Sequence, residues 1–260
     1  MEHYRISFVG AGNVSGALCR QFFESGHDIR IIVSRTEKTG RALAGSCNAE
    51  WSSDPDFGDT SDVIITAVPD DETKGVLHRI KCSEKTIIAH TAGSLGFEVF
   101  PENVRHKGIF YPLQTFSENR KTDFRDLPFL LEASDPFTSE LLENLTQSTG
   151  GNVYFVGTGQ RRLIHVAAVF VNNFTNYMLT AGNRIIQKAD MPFEVLYPLI
   201  EETINKAKEI GPEGSQTGPA ARLDIGTFER HIDLLSFSPE LQQIYREITD
   251  SIIRFYNKSK

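Results

Sequence analysis

The chain has 260 residues, of which 40% are hydrophobic, enough for one large or two modest domains with a buried core. Its net charge of −7 argues against a nucleic-acid partner, because binding a phosphate backbone requires a basic face. The scattered cysteines Cys19, Cys47 and Cys82 lack metal-binding spacing, so we expect reduced thiols, no metal site and a cytoplasmic location. A first strand from Tyr4 leaves no room for a signal peptide, and the longest apolar run, 166–171, is too short to span a membrane.

The N-terminal segment is predicted to form a strand, a glycine-rich turn and the start of a helix. Gly10 permits a tight turn, and Gly12 lets the backbone approach a diphosphate closely. The helix that follows offers free N–H groups and a positive dipole end to an anion. Ser15 replaces the third glycine of the G-x-G-x-x-G pattern and is small enough for the helix to pack on the strand. The segment therefore predicts a dinucleotide site that includes Gly10, Gly12, Asn13 and Val14.

The end of the second predicted strand, 29–33, indicates which dinucleotide binds. Folds that bind NAD usually carry Asp or Glu at this point to hold the ribose 2′-hydroxyl. This chain has Ser34, Arg35 and Thr36 there, and a guanidinium between two hydroxyls suits a 2′-phosphate. We therefore predict NADP as the cofactor. The alternative is a solvated loop that happens to contain Arg35, and the nearby Glu37 is the feature that argues against NADP.

Strands and helices alternate through the first part of the chain. Predicted strands cover 4–9, 29–33, 50–52, 62–69, 86–90, 108–112, 129–132 and 153–156. This alternation predicts an α/β fold, with a doubly wound Rossmann domain over residues 1–157. Ala67, Val68 and Pro69 end the continuously apolar fourth strand and are predicted to contact the cofactor.

From residue 158 to 260 the pattern is helical, which predicts an all-helical domain for substrate binding and dimerisation. The run 161–188 contains no proline and carries apolar residues on nearly every side. Such a helix is predicted to be buried nearly all round and to form a subunit contact, so we expect a homodimer.

Four segments together carry a family resemblance. They are His90-Thr-Ala-Gly-Ser-Leu95, Tyr111-Pro-Leu-Gln-Thr-Phe116, His165-Val-Ala-Ala-Val-Phe170 with Asn172-Asn173, and Thr217-Gly-Pro-Ala-Ala-Arg222. With the N-terminal glycine pattern, they make the whole chain similar to Rossmann-like NADP oxidoreductases of the 6-phosphogluconate dehydrogenase-like superfamily, which are related to pyrroline-5-carboxylate reductases. The resemblance implies the fold and the cofactor class. In that subgroup His is commoner where Tyr111 stands and Gly where Leu223 stands.

One departure from the superfamily pattern narrows the expected chemistry. The β-hydroxyacid dehydrogenases of this superfamily carry a catalytic Lys early in the long helix, where this chain has Leu163, and no Lys occurs between Gly157 and Lys188. The chain is therefore not expected to be an ordinary β-hydroxyacid dehydrogenase. An imine reductase like the pyrroline-5-carboxylate reductases needs no strong protein base and remains an alternative.

Two histidines are candidate catalytic residues, because histidine exchanges protons near neutral pH. His90 ends a predicted strand, on the edge of the sheet where the cofactor lies, although it can equally be a local cap of that strand. His165, with Asn172 and Asn173 as substrate-binding candidates, lies in the long apolar helix. These three polar residues must find partners there, either in a substrate pocket or in a buried hydrogen-bond network.

A candidate anion site follows in the helical domain. Thr217 and Gly218 lead into a predicted helix start, and Arg222 lies one turn inside it. The alternative is a helix cap with Arg222 in a surface ion pair. Together the candidates predict an NADP-dependent oxidoreductase that transfers a hydride to or from a small, anionic metabolite between the domains. The further alternatives are the imine reductase and a non-catalytic NADP(H)-binding sensor or scaffold.

Overall fold

The computed structural model describes residues 2–118 and 120–256. Within these residues the strands are Arg5–Val9 (β1), Asp28–Val33 (β2), Glu50–Ser52 (β3), Asp56–Gly58 (β4), Val63–Thr66 (β5), Lys81–Cys82 (β6), Ile87–His90 (β7), Lys107–Pro112 (β8), Pro128–Ala133 (β9) and Asn152–Phe155 (β10). The α-helices are Asn13–Glu24 (α1), Glu37–Ser46 (α2), Asp70–Leu77 (α3), Pro136–Ser148 (α4), Thr158–Ala168 (α5), Thr175–Ile186 (α6), Tyr197–Ile210 (α7), Pro212–Ser215 (α8), Ile225–Leu234 (α9) and Pro239–Tyr256 (α10).

The chain divides into two compact units, one ending at Asn172 and the other beginning at Asn173. Helix α5 therefore packs with the unit that contains the sheet. The functional boundary that the sequence predicts after residue 157 stays a prediction.

The first unit is built on one sheet with the order β10-β9-β8-β7-β5-β1-β2-β3. All neighbouring strands are parallel except β8 and β9. The doubly wound α/β fold predicted from the sequence is confirmed. The chain winds in opposite directions from β1, so the carboxyl ends of β1 and β5 form the crevice in which ligands of such sheets bind. The short strands β4 and β6 pair separately, and the sequence pattern did not indicate them.

The central strands β5 and β7 are mostly apolar because helices cover both faces of the sheet. Every residue of β5 and β7 is buried. Helix α1 adds Leu18, Cys19 and Phe22 to the same core. Cys19 and Cys47, distant in sequence, lie with their sulfur atoms 2.9 Å apart as free thiols. This packing fixes α1 and the glycine turn that precedes it against the sheet.

The long helical run predicted for 161–188 is present as α5, a π-helical segment (Val169–Phe174), α6 and a 3₁₀ turn. The prediction that it is buried nearly all round is wrong for the single chain. Leu163, Phe170 and Val171 are 73%, 61% and 74% exposed. Burial is confined to a few positions, such as Arg161 and Ala181, so protein covers only part of this helical surface.

The second unit is helical, as predicted, and has a small core of Ala181, Leu235 and Leu241, with Tyr245 packed against it. The predicted loop 211–219 contains the short helix α8. No helix in the described part of the chain is long and apolar enough to cross a bilayer.

Candidate active site

The glycine turn after β1 is held against the ends of two other strands. The Gly10 N–H donates to the Val33 carbonyl, and the Ala67 N–H donates to the Val9 carbonyl, both at 2.8 Å. Gly10 has a φ of +111°, and a Cβ there would lie 2.2 Å from the Ala67 carbonyl oxygen. Glycine is required at this position by both conformation and space.

Gly12 is free of such contacts, and this freedom leaves room for a ligand. Its φ of −85° suits any residue, and no heavy atom of the described residues lies within 4 Å of a Cβ built there. No side chain caps α1 at this point, so the N–H groups of its first turn are available to an anion. The Asn13 amide donates to the Phe116 carbonyl (3.1 Å), and the Val14 side chain packs on the core. The side chains of Asn13 and Val14 thus have partners within the protein, and their backbone N–H groups can donate to a diphosphate.

A cavity of about 310 Å³ opens beside this turn. Its lining includes eight residues predicted to contact the cofactor: Gly10, Gly12, Ser34, Arg35, Thr36, Ala67, Val68 and Pro69. Sequence reasoning missed four polar residues that share the cavity: Thr39, Ser53, Glu72 and Arg79. Open space over Gly12, free helix N–H groups and two arginines fit a phosphorylated dinucleotide.

Each residue of the loop after β2 has a distinct environment. The Ser34 hydroxyl is buried, donates to the Thr36 carbonyl and accepts from the Trp51 indole, both at 3.0 Å. The buried Ser34 hydroxyl therefore stabilises the conformation of this loop. The Arg35 side chain is 79% exposed, and its Nη1 lies 2.9 Å from Oε1 of Glu72. Its guanidinium is an exposed positive charge at this end of the cavity.

His90 is fully buried at the end of β7. Its Nδ1 accepts a hydrogen bond from the Ala92 N–H (3.2 Å), and its ring stacks on Phe100. Nε2 has no hydrogen-bond partner among the described residues. Burial lowers the pKa of His90 to about 4, so the ring is neutral at physiological pH. A catalytic role for His90 stays a prediction. Because the side chain is buried, we expect it to position the backbone of the following residues rather than to contact a substrate.

His165 and Tyr111 form a hydrogen-bonded pair. The Tyr111 hydroxyl lies 2.9 Å from Nδ1 of His165, and the two rings meet edge to face. Burial, and then the charge of Asp70, raises the pKa of Tyr111, which keeps the phenol protonated at neutral pH. A Cβ on Gly93 would lie 2.6 Å from Nδ1 of His165 and 3.0 Å from Cζ of Tyr111. The absence of a side chain at Gly93 therefore allows the His165 and Tyr111 rings to occupy these positions.

The sequence suggested His165 and gave only a weak signal for Tyr111, its place at a strand end within a family segment. Tyr111 is the penultimate residue of β8 and His165 lies in α5, so only the tertiary fold brings them together. The Asp70 carboxylate, at the start of α3, accepts a hydrogen bond from the Ser94 hydroxyl. The residues around this pair thus combine a phenol, an imidazole and a carboxylate.

Two arginines at the start of α5 hold the loop that contains Gly93. Arg161 is completely buried, pairs with Glu132 and donates to the Leu95 carbonyl. Arg162 donates to the Ser94 carbonyl at 2.6 Å. They anchor α5, and with it His165, against the ends of the central strands.

The second unit contains the predicted anion-binding residues. Thr217 lines a largely apolar cavity of about 380 Å³, and Gly218 has a φ of +102°. The expectation that this segment leads into a free helix start is wrong. Leu223 adopts a φ of +58°, which interrupts the helix, and α9 begins only at Ile225.

The start of α9 is also already occupied by a carboxylate. Asp224 caps it by accepting from the Thr227 N–H at 3.0 Å. Arg222 lies in the preceding turn and is exposed. Asn172 and Asn173 lie in the π-helical segment, where such irregular turns often mark functional sites. Substrate binding by these residues stays a prediction.

The family comparisons agree with this geometry. Residues 5–93 match a family model described as "NADP oxidoreductase coenzyme F420-dependent". Residues 127–252 match a domain of unknown function, DUF2520. A search of curated proteins returned no match.

Several solved structures are similar over nearly the whole chain. A putative NADP oxidoreductase from Bacteroides fragilis is 35% identical, covers 97% of this chain and 98% of its own, and superposes with a TM-score of 0.88. A reductive aminase from Aspergillus terreus, in complex with NADPH and ethyl-5-oxohexanoate, is 12% identical, with 97% and 94% covered and a TM-score of 0.70. A 1-pyrroline-5-carboxylate reductase from Streptococcus pyogenes is 12% identical, with 96% and 98% covered and a TM-score of 0.63.

The last two similarities concern the fold alone, whereas the first, at 35% identity over 97% of the chain, establishes kinship. The glycine turn, the Arg35 loop and the matched family model all point to the same cofactor. The chain belongs to the family of Rossmann-type, NADP-dependent oxidoreductases that includes the Bacteroides fragilis protein.

Proposed function

We propose that this oxidoreductase transfers a hydride between NADP(H) and a small metabolite beside the Tyr111–His165 pair. The proposal is based on the observation that this hydrogen-bonded pair and the dinucleotide cavity lie in the same compact unit. Gly10, Gly12, Asn13 and Val14 would hold the diphosphate, mainly through their backbone. The loop from 34 to 36 would hold the 2′-phosphate, and the strand end from 67 to 69 would line the cavity.

Bound NADP(H) supplies or accepts the hydride, and the protein must handle the proton that accompanies it. Tyr111 stays protonated because its pKa is raised, so it can donate to Nδ1 of His165. In the tautomer whose Nδ1 accepts from Tyr111, His165 carries its N–H on Nε2, where the proton can be donated to a substrate atom. Gly93 and the anchored helix α5 orient this imidazole. His90 would support the loop from beneath it.

The remaining predictions extend this proposal. Asn172, Asn173, Thr217, Gly218 and Arg222 would bind the substrate, and its anionic group would pair with Arg222. The large exposed apolar side chains of the helical run 158–186 support a homodimer, because exposed apolar residues often mark contacts with another protein. The free cysteines support a cytoplasmic location, and the acidic net charge supports the absence of a nucleic-acid partner.

One observation favours the imine reductase alternative. Asp70 raises the pKa of Tyr111, so its negative charge acts on the proposed reaction centre. A carboxylate there would stabilise a cationic iminium group, which accepts a hydride without a further proton. NADPH oxidation with the cyclic imine pyrroline-5-carboxylate tests this alternative. A sensor or scaffold would instead bind NADP(H) and turn over no carbonyl, imine or hydroxy acid.

Gly12→Val tests the cofactor site. A Cβ at this position has no neighbour within 4 Å among the described residues and the φ is allowed, so the variant should fold, but its side chain would occupy the place of the diphosphate. Gly157→Val is a matched control, because Gly157 also precedes a helix and has open space around its Cβ. Calorimetry should show that Gly12→Val loses NADPH binding and that Gly157→Val keeps it. Equal binding by both variants would refute the site.

A further inference from the structure

The first turn of α3 contributes a carboxylate to the dinucleotide cavity. Glu72 is partly buried, with 31% of its side chain exposed, and its Oε1 lies 2.9 Å from Nη1 of Arg35. Both residues line the cavity that contains the glycine turn. The guanidinium assigned to the 2′-phosphate is therefore paired with a carboxylate of the protein itself.

Other charged residues nearby do not share this position. Glu37, next to the same loop, pairs with Arg41 along α2 at 2.7 Å and does not line the cavity. Arg79 lines the cavity and forms no ion pair among the described residues. Glu72 is thus the one carboxylate among the described lining residues, and it shares the cavity with Arg35 and Arg79.

This placement changes what the loop after β2 implies about the cofactor. A dinucleotide fold normally sets its preference at the end of the second strand, where an acidic residue binds the ribose hydroxyl of NAD. Here that strand end carries Arg35, and the acidic residue comes from α3 instead. A 2′-phosphate must displace Glu72 from the guanidinium and remain close to its negative charge. A ribose hydroxyl carries no charge and meets neither obstacle.

We propose that Glu72 is a specificity-determining residue that competes with the 2′-phosphate for Arg35 and so limits the preference for NADP(H) over NAD(H). The proposal rests on the proposed cofactor site. Replacing the carboxylate by an amide should release the guanidinium without changing the shape of the cavity.

The test compares Glu72→Gln with Glu37→Gln, which changes the charge by the same amount on the neighbouring helix but outside the cavity. Calorimetry of both variants and the original protein would use NADPH, NADH and adenosine 2′,5′-bisphosphate at fixed ionic strength. Glu72→Gln should bind NADPH and the bisphosphate about two- to fivefold more tightly, the range expected from breaking an exposed ion pair. Its affinity for NADH should not change, and the gain should shrink as salt screens the charges.

Three results would overturn the proposal. Glu72→Gln could bind NADPH no better than the original protein, it could gain equally for NADH, or Glu37→Gln could give the same gain. Any of these leaves the proposed cofactor site standing if the original protein still prefers NADPH. Failure of the original protein to bind either nucleotide would instead reject that site and this inference together.

Discussion

The contact between Gly93 and the Tyr111–His165 pair makes Gly93→Ala a sensitive test of the proposed reaction centre. The added Cβ would lie 2.6 Å from Nδ1 and 2.9 Å from Cγ of His165. Comfortable contact begins near 3.5 Å, so the imidazole must retreat by about 1 Å. Because its bond to Tyr111 is 2.9 Å long, this shift breaks the hydrogen bond or tilts it out of line.

The expected result is a large loss of turnover with little loss of cofactor binding. Misplacing a catalytic group by about 1 Å costs roughly 100-fold in kcat. NADPH affinity should stay the same, because Gly93 does not line the dinucleotide cavity. Overpacking should lower the free energy of unfolding by about 1–3 kcal/mol. NADPH oxidation with a panel of carbonyls, imines and hydroxy acids, calorimetry and urea unfolding measure these three quantities.

Gly159→Ala is the matched control, because it lies in the helix that carries His165 and a Cβ there meets nothing within 4 Å. It should keep the turnover of the original protein. If Gly93→Ala keeps full turnover on the compound that the original protein reduces or oxidises, the pair does not take part in the reaction.

Three further predictions concern stability. Leu223→Gly should raise the free energy of unfolding, measured in urea, by about 0.5–1 kcal/mol, because glycine tolerates the φ of +58° and Leu223 is 47% exposed. Leu223→Ala keeps a Cβ and should show no such gain. Arg161→Met should cost about 3 kcal/mol by leaving Glu132 unpaired, and adding Glu132→Gln should recover part of that loss. His90 has a pKa of about 4 when folded and about 6.5 when unfolded, so the unfolded chain binds its proton first and stability falls as the pH drops through this interval. Between pH 7 and pH 5 the original protein should therefore lose about 2 kcal/mol more than His90→Asn, and an equal loss in both would contradict the burial argument.

The sequence was most informative where one local rule decides the structure. Continuous apolar runs predicted β5 and β7, and the spacing of Gly10 and Gly12 predicted the turn, because these features depend on neighbouring residues. The family position that carries Gly in place of Leu223 turned out to need a positive φ. The positive φ gives a backbone reason for Gly at this position in similar proteins, and Leu223 adopts the same conformation here without that freedom.

Features that depend on pairs distant in sequence could not be predicted in this way. Tyr111 and His165 are separated by 54 positions, and Glu72, the partner of the loop residue Arg35, lies in helix α3. Residues 217–222 do not lead directly into α9, because Leu223 has a positive φ and Asp224 then caps the helix. The exposed face of the helical run shows that an apolar sequence predicts burial without identifying what covers it.

A calorimetric titration of the purified protein with NADPH and with NADH tests the cofactor assignment most directly. We predict that each chain binds one NADPH, about tenfold more tightly than NADH, because the 2′-phosphate gains a charge-assisted bond to Arg35. No heat of binding with either nucleotide, or tighter binding of NADH, would contradict it.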